Sequence, residues 1–325
     1  MKLRVAVIYG GRSGEHEVSV RSAEAIMSAM DAARYDVLKF FIRPDGRWEP
    51  RPLVAEPGAN PGIDVVFPVL HGTFGEDGTV QGLLELAELP YVGAGVLGSS
   101  LAMDKDLTKR VCRERGLPVV EHAVVLRSSY DVDDLVERLG LPLFVKPANL
   151  GSSVGISKAR TRDELGAALK LAAQFDRKII VERAITGREL ECAVLGNHDP
   201  VASLPCEVFP SREFYDYEDK YLLDAARFKV PAELKPGETE EVRRLACACY
   251  RAVECEGMAR VDFFLEEASG RLYINEINTI PGFTSISMFP RMWDAAGLPF
   301  PRLIDRLIEL ALQRHQDRKP TRFSR

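Results

Sequence analysis

The chain has 325 residues, with 43 Lys plus Arg against 48 Asp plus Glu for a net charge of −5, and it is 46% hydrophobic and 28% charged. That balance is ordinary for a globular protein and excludes disorder, because apolar content is high and charge per residue is low. With a pI near 5.7 the chain lacks the basic face of a dedicated nucleic-acid binder, so an anionic substrate has to be met by positive groups concentrated locally.

The first apolar run, Val5 to Tyr9, is too short for a secretory signal and is read as a strand. No run approaches the ~20 residues of a membrane span. The six cysteines, Cys112, Cys192, Cys206, Cys247, Cys249 and Cys255, form no CxxC pair and fit no zinc spacing. Cys247, Cys249 and Cys255 fall in an apparent helix and read as small buried thiols. A reduced, cytoplasmic protein without a membrane partner is expected.

In chain order, residues 3–9 predict a buried strand, Gly10 to Gly14 a turn, and Glu17 to Met30 a helix with one apolar face. Val37 to Ile42 and Asp64 to Leu70 read as strands, Pro44 to Gly62 as a Pro/Gly-rich stretch, and Thr79 to Leu86 as a helix. This alternation implies a doubly wound parallel sheet ending near Ser99 to Met103. A smaller α/β unit follows. It has a helix from Thr108 to Arg115 closed by Gly116, a strand from Leu143 to Lys146, the loop Asn149 to Gly155, a helix from Asp163 to Ala173, and a strand from Lys178 to Glu182. The last unit holds strands at 189–195 and 200–208, a long polar and aromatic segment from Pro210 to Pro231, a helix at 238–256 and strands at 258–266 and 271–277. The tail from Arg314 to Arg325 is basic and polar and is expected to fray. The fold class is therefore α/β, with domains at 1–103, 104–185 and 186–325.

Two of these segments have the chemistry of a phosphate site. Asn149-Leu150-Gly151-Ser152-Ser153-Val154-Gly155 places two glycines and two serines in a loop whose backbone N–H groups can wrap an anion, with Lys146 upstream as a point charge. It is not a Walker A loop, and a polar hairpin turn is the plainer alternative. The strands around Ala268-Ser269-Gly270 suit a three-residue hairpin loop. That register pairs Glu267 with Arg271, Asp262 with Glu276 and Arg260 with Asn278, so Arg260, Asp262, Phe264, Glu276 and Asn278 share a face. Carboxylates opposite each other need a cation between them, and hard oxygen donors suit Mg²⁺ shared with phosphate oxygens. An exposed, salt-bridged hairpin is the alternative, and a one-residue slip would separate the pair. The strand runs into Thr279-Ile280-Pro281-Gly282-Phe283-Thr284-Ser285, whose N–H groups suit a developing oxyanion.

Other segments are less specific. Gly10 to Glu17 lacks a full GxGxxG, which disfavours a dinucleotide site, and Glu15 reads either as a helix cap or as a ligand for a substrate ammonium. His71 ends a strand at the carboxyl edge of the sheet, where α/β ligands bind. The 210–231 segment, with Tyr215, Tyr217, Tyr221 and Lys220, is read as a lid, with a decorated surface loop as the alternative.

Taken together, GGRSGEHEVS, LHGTFGEDGTVQGLLELAELPYVG, MDK, VKPANLGSSVG, FYDYEDKY, GMARVDFFL and NEINTIPGFTS resemble the D-alanine–D-alanine ligase family of ATP-grasp carboxylate–amine ligases, from Val5 to about Leu312. The resemblance implies an ATP-grasp fold of three α/β domains. It implies ATP contacts from Lys105 and Lys146 to phosphates, from Ser152 and Ser153 on the phosphate loop, from Glu182, Arg183 and Ile185 at the adenine hinge, from Glu189 to ribose, and from Phe144 and Phe264 as adenine walls. The family more often has Lys at the position of Arg183. Asp262, Glu276 and Asn278 match a two-Mg²⁺ site, which Mn²⁺ can also fill. Glu15 matches the holder of the first D-alanine's ammonium, and His71 a residue of the amino-acid site. Arg260 and the Gly282 N–H match the oxyanion groups, and Ser287 and Met288 the positions around the second carboxylate. Lys220 and Tyr221 match the lid, with Tyr221 linked to Ser152 and Glu15 and favouring a dipeptide over a D-lactate product. The implied reaction is ligation of two D-alanines through D-alanyl phosphate for peptidoglycan precursors, by a homodimer. Other ATP-grasp ligases, a nucleotide-binding regulator and a dehydrogenase are the competing classes.

Overall fold

A computed structural model describes residues 2–210, 227–284 and 286–319. The chain begins with β1 (Leu3–Gly10), α1 (His16–Ala29), β2 (Tyr35–Ile42), β3 (Trp48–Glu49), β4 (Val65–Val69), α2 (Thr79–Leu86) and α3 (Val96–Met103). Strand order is β3-β2-β1-β4. β1 runs parallel to β2 and β4, while the short β3 is an antiparallel edge. Val5, Ala6, Val7 and Ile8 are all 0% exposed, as expected of a parallel strand covered on both faces.

The second group is α4 (Lys105–Glu114), β5 (His122–Leu126), α5 (Val132–Leu139), β6 (Leu143–Pro147), β7 (Ser157–Ala159), α6 (Arg162–Ala172) and β8 (Lys178–Arg183). Its sheet, β5-β8-β6-β7, is antiparallel throughout. α4 starts three residues before the predicted Thr108. The Asp104 carboxylate accepts from the N–H groups of Asp106 and Leu107 and so caps the helix earlier. Lys105 thereby becomes its first residue, and Lys109 lies one turn on.

The third group is β9 (Gly187–Gly196), β10 (Val201–Ala202), β11 (Cys206–Phe209), β12 (Arg227–Lys229), α7 (Glu238–Ala252), β13 (Gly257–Glu266), β14 (Leu272–Asn278), α8 (Met288–Ala295) and α9 (Phe300–Arg318). Its antiparallel order is β12-β11-β9-β13-β14, with β10 on β9. Several expectations are corrected here. The predicted strand 200–208 is two strands. α7 ends at Ala252, with Glu254 at φ 54, so Cys255 lies outside the helix although it is buried. Arg314 does not fray: it is 4% exposed in α9 and donates to the carbonyls of Gly93 and Tyr91.

The cores are unequal. One cluster joins Val5, Val7 and Phe67 of the first sheet to Leu195 and Met258 of the third, and to Phe283, Phe289, Leu303 and Leu307. The second sheet keeps a core of its own, with Leu135, Leu143, Val145, Leu165 and Val181. Cys112 of α4 belongs instead with Cys249 and Val261 on the far face of the third sheet.

Candidate active site

The three sheets meet around two adjoining cavities. The first, about 240 Å³, is lined by Glu15, His71, Glu76, Ser152, Arg260, Gly282, Ser287 and Met288 among others. The second, about 560 Å³, is lined by Phe144, Lys146, Ser153, Glu182, Arg183, Ile185, Glu189, Arg260, Asp262, Phe264 and Glu276 among others. Arg260 and Glu276 border both.

The hairpin carries the shared wall. Arg260 stands opposite Asn278, and Asp262 opposite Glu276, as predicted, but by a different route. The loop is one residue longer than expected, Glu267 to Gly270: the Glu266 N–H donates to the Arg271 carbonyl at 2.9 Å, and Leu265 pairs with Leu272. The register then shifts between Asp262 and Phe263, leaving Asn275 as the extra residue of a β-bulge. The bulge restores the register in time for Glu276. Val261, Phe263, Ile274 and Ile277 of the opposite face are at most 3% exposed.

On the cavity face, Arg260 donates to both Asp262 oxygens at 2.7 Å and lies 3.4 Å from Glu191. Asn278 Nδ2 donates to Asp262 Oδ2 at 3.0 Å. Burial opposes the Arg260 charge, but Asp262 and Glu191 outweigh it and hold the guanidinium protonated. Glu191 is paired across β9 with Asp262, so Glu191, Asp262 and Glu276 form a line over three strands. Sequence reading passed over Glu191, although its two-residue spacing from Glu189 was a usable signal. Lys105 Nζ lies 3.2 Å from Glu276 Oε2 and donates to the Leu150 carbonyl at 2.8 Å, tying the Asn149-to-Gly155 loop to β14. Asp262, Glu276 and Asn278 offer hard oxygens on one face, the donor chemistry of a divalent ion completed by phosphate oxygens.

The loop Asn149 to Gly155 bridges the cavities. Ser152 and Ser153 have φ of 53° and 58°, left-handed values that non-glycine residues adopt at a cost and that cluster at functional sites. Ser152 Oγ donates to Glu15. Glu15 precedes α1 without capping it through its side chain, which removes the plain cap reading. Gly72, at φ +71, leaves it room: a Cβ there would stand 2.6 Å from Glu15 Oε2.

The Ile280-to-Phe283 turn is clamped by the first sheet. His71 Nδ1 meets the Ile280 carbonyl at 2.9 Å. A carbonyl only accepts, so Nδ1 carries the proton and Nε2 accepts from Ser22 Oγ at 3.2 Å. Ser22 Oγ in turn accepts the Phe283 N–H at 3.2 Å. Burial pushes the His71 imidazole down, in keeping with this neutral tautomer. Glu76 accepts from the N–H groups of Gly72 at 2.7 Å and Ile280 at 3.2 Å, and burial together with Glu15 pushes its carboxyl up to about 8. Ser22 and Glu76 were missed in the sequence, although Glu76 sits five residues after His71. Ser287 Oγ accepts the Thr284 N–H at 3.0 Å, and Met288 is buried at 6% exposure.

In the second cavity the Lys146 ammonium lies 6.0 Å from the ring centres of both Phe144 and Phe264. Arg183 donates to Glu266 at 3.0 Å. The Glu182 carboxylate faces two lysines, Lys146 at 2.6 Å and Lys109 at 2.8 Å. Lys220 and Tyr221 lie outside the described residues, as does most of the 210–231 segment.

An antiparallel sheet facing a second sheet across a lysine- and phenylalanine-lined cavity, with paired carboxylates on its wall, defines an ATP-grasp ligase. Residues 4–59 and 53–94 match the family described as D-ala D-ala ligase N-terminus, and residues 111–309 match D-ala D-ala ligase C-terminus. The chain is 68% identical to the D-alanine–D-alanine ligase of Solibacter usitatus over 100% of both proteins. It is 47% identical to that of Thermoanaerobacter sp. strain X514 over 98% of each. The solved D-alanine–D-alanine ligase of Coxiella burnetii superposes with a TM-score of 0.88 at 41% identity, covering 98% of this chain and 96% of that one. The VanG D-Ala:D-Ser ligase of Enterococcus faecalis gives 0.88 at 34% identity, over 96% and 100%. The chain belongs to the D-alanine–D-alanine ligase family.

Proposed function

We infer how this ligase, which uses ATP and divalent metal, joins two D-alanines at the seam. The second cavity takes ATP, with adenine between Phe144 and Phe264 at the Glu182–Arg183–Ile185 hinge, ribose at Glu189, and phosphates at Lys105, Lys146, Ser152 and Ser153. The first cavity takes the amino acids. Glu15 holds the ammonium of the first D-alanine, and that D-alanine's carboxylate oxygen attacks the γ-phosphorus as the bond to ADP breaks. The second D-alanine, its carboxylate near Ser287 and Met288, releases an ammonium proton to water, its neutral amine attacks the acyl carbon, and phosphate leaves. Arg260 and the Gly282 N–H face the oxyanion that forms. His71, whose ring nitrogens are occupied by Ile280 and Ser22, acts on the amino-acid site by holding the Gly282 turn. Asp262, Glu276 and Asn278 would hold two Mg²⁺ ions, or Mn²⁺, which neutralise phosphate charge when bound. Lys220 and Tyr221 complete this assignment as lid residues by resemblance.

The observation that carries this reading is the Arg260–Asn278 and Asp262–Glu276 register on the wall common to both cavities. Incubation with ATP and D-alanine alone, followed by phosphate and dipeptide analysis, tests it. D-Ala-D-Ala with one phosphate per dipeptide is expected, and D-serine or D-lactate as acceptor should give less product. Absence of phosphate release overturns it.

Domains at 1–103, 104–185 and 186–325 accord with three separate sheets. A cytoplasmic setting is supported by six free cysteines, and among the described residues no helix is long and apolar enough to cross a membrane. A homodimer is supported by Leu86 and Leu97, exposed at 65% and 58% on α2 and α3. Leu97→Glu should leave a monomer in sedimentation, and an unchanged mass rejects that face.

A further inference from the structure

Lys109 has no part in the assignments above, yet it is 1% exposed. A buried ammonium is costly unless it is paired. Its partners form a closed ring. Lys109 Nζ lies 2.8 Å from Glu182 Oε1 and donates to the Asn275 carbonyl at 3.0 Å. Glu182 Oε2 lies 2.6 Å from Lys146 Nζ, and Lys146 donates to Asn275 Oδ1 at 3.2 Å. Asn275 is the bulge residue, so one end of the ring sets the Lys146 ammonium and the other holds the backbone immediately before Glu276. α4, β6, β8 and β14 all contribute.

Charge counting gives the ring a direction. Burial pushes the Lys109 ammonium down and the Glu182 carboxylate opposes it; with both lysines charged, two ammoniums share one carboxylate and the ring itself carries a net +1. Were Lys109 apolar, Glu182 would neutralise Lys146 alone, and an approaching phosphate would meet a satisfied ion pair. Burial pushes the Glu182 carboxyl up, but Lys109 and Lys146 together hold it down at about 2, so the carboxylate stays charged and shared.

We propose that Lys109 is a positioning residue for ATP, drawing Glu182 off Lys146 and pinning the Asn275 bulge that brings Glu276 opposite Asp262. The proposal rests on the reading of the second cavity as the ATP site. Its test is Lys109→Met, which keeps the chain length and removes the charge. The apparent ATP KM should rise about tenfold or more, the scale of one lost charge-assisted contact, with the D-alanine KM within about twofold. A residue that only fills space would lower the melting temperature and leave the ATP KM alone, and that result overturns the proposal. Should Lys109→Met fail to fold, Lys109→Gln, which keeps a donor towards the Asn275 carbonyl but removes the charge, must show the same ATP-selective loss. Calorimetry of ADP binding to the unsubstituted enzyme separates the two levels: no binding there overturns the site reading, whereas equal binding by enzyme and variant overturns only the role of Lys109.

Discussion

Gly72 offers a test in which strain and chemistry can be separated. Alanine at this position, with φ +71, costs roughly 1–2 kcal/mol for a left-handed L-residue. The added Cβ would also stand 2.6 Å from Glu15 Oε2. A carboxylate end can swing away, so the collision is relieved by moving Glu15 off Ser152 and out of its place in the first cavity. Losing one hydrogen bond to a charged group is worth roughly 1.5–3 kcal/mol. At ~1.36 kcal/mol per decade this is about a 10- to 150-fold fall in kcat/KM for D-alanine. Gly116→Ala is the control: it has φ +69, and an added Cβ meets nothing within 4 Å, so it carries the strain alone. Phosphate release is measured with D-alanine varied at saturating ATP, then the reverse, alongside melting of both variants. Both should lose similar stability, and only Gly72→Ala should lose D-alanine kinetics while keeping its ATP KM. Equal kinetic loss in the two variants, or normal D-alanine kinetics in Gly72→Ala, refutes the placement of Glu15 at the ammonium.

Two further outcomes follow from the shared wall and its lysines. Glu276→Ala removes the partner of Lys105 and an oxygen donor, and should lower kcat about 100-fold or more while raising the Mg²⁺ concentration needed for half-maximal rate; unchanged turnover and Mg²⁺ dependence reject the metal assignment. Glu182, held at about 2 in the folded state against an ordinary value near 4.5, contributes stability that is present above about pH 4.5 and is lost as pH falls towards 2. The melting-temperature gap between the enzyme and Glu182→Gln should therefore narrow from pH 6 to pH 3, and a constant gap contradicts the ion-pair account.

How far the sequence discloses this site depends on the kind of interaction involved. Period-two alternation and a short loop were enough to set Asp262 against Glu276. The true loop is one residue longer, Glu267 to Gly270, and the bulge at Asn275 compensates. A bulge carries no composition signature, so the correct pairing was reached through two offsetting differences. Lys109 was invisible for a related reason. A lysine on a helix reads as solvated, and only the meeting of α4 with β8 and β14 buries it. Arg314 was misjudged by the same rule, because its acceptors are carbonyls more than 200 residues away in the chain. The antiparallel order of the second and third sheets likewise depends on pairings between distant strands. Locally encoded features, such as the Thr79–Leu86 helix, were legible to the residue.

The separate core of the second sheet has a kinetic meaning. The first and third sheets are fused through one apolar cluster, so the amino-acid cavity between them has walls that cannot part without exposing that cluster to water. The second sheet meets its neighbours through polar links, among them Lys178 to Asp104 and Asp106, Arg183 to Glu266, and Lys146 to Asn275. Arg183 is partly exposed and its link is exchanged for water at little net cost, whereas Lys178, Asp106 and Lys146 are largely buried and hold only while paired. The second sheet is thus a separately cored body joined to the rest by polar links, whereas the first and third sheets share one core. On the proposed assignment, discrimination among small acceptors falls to the stiff first cavity, and ADP release to the separately cored sheet.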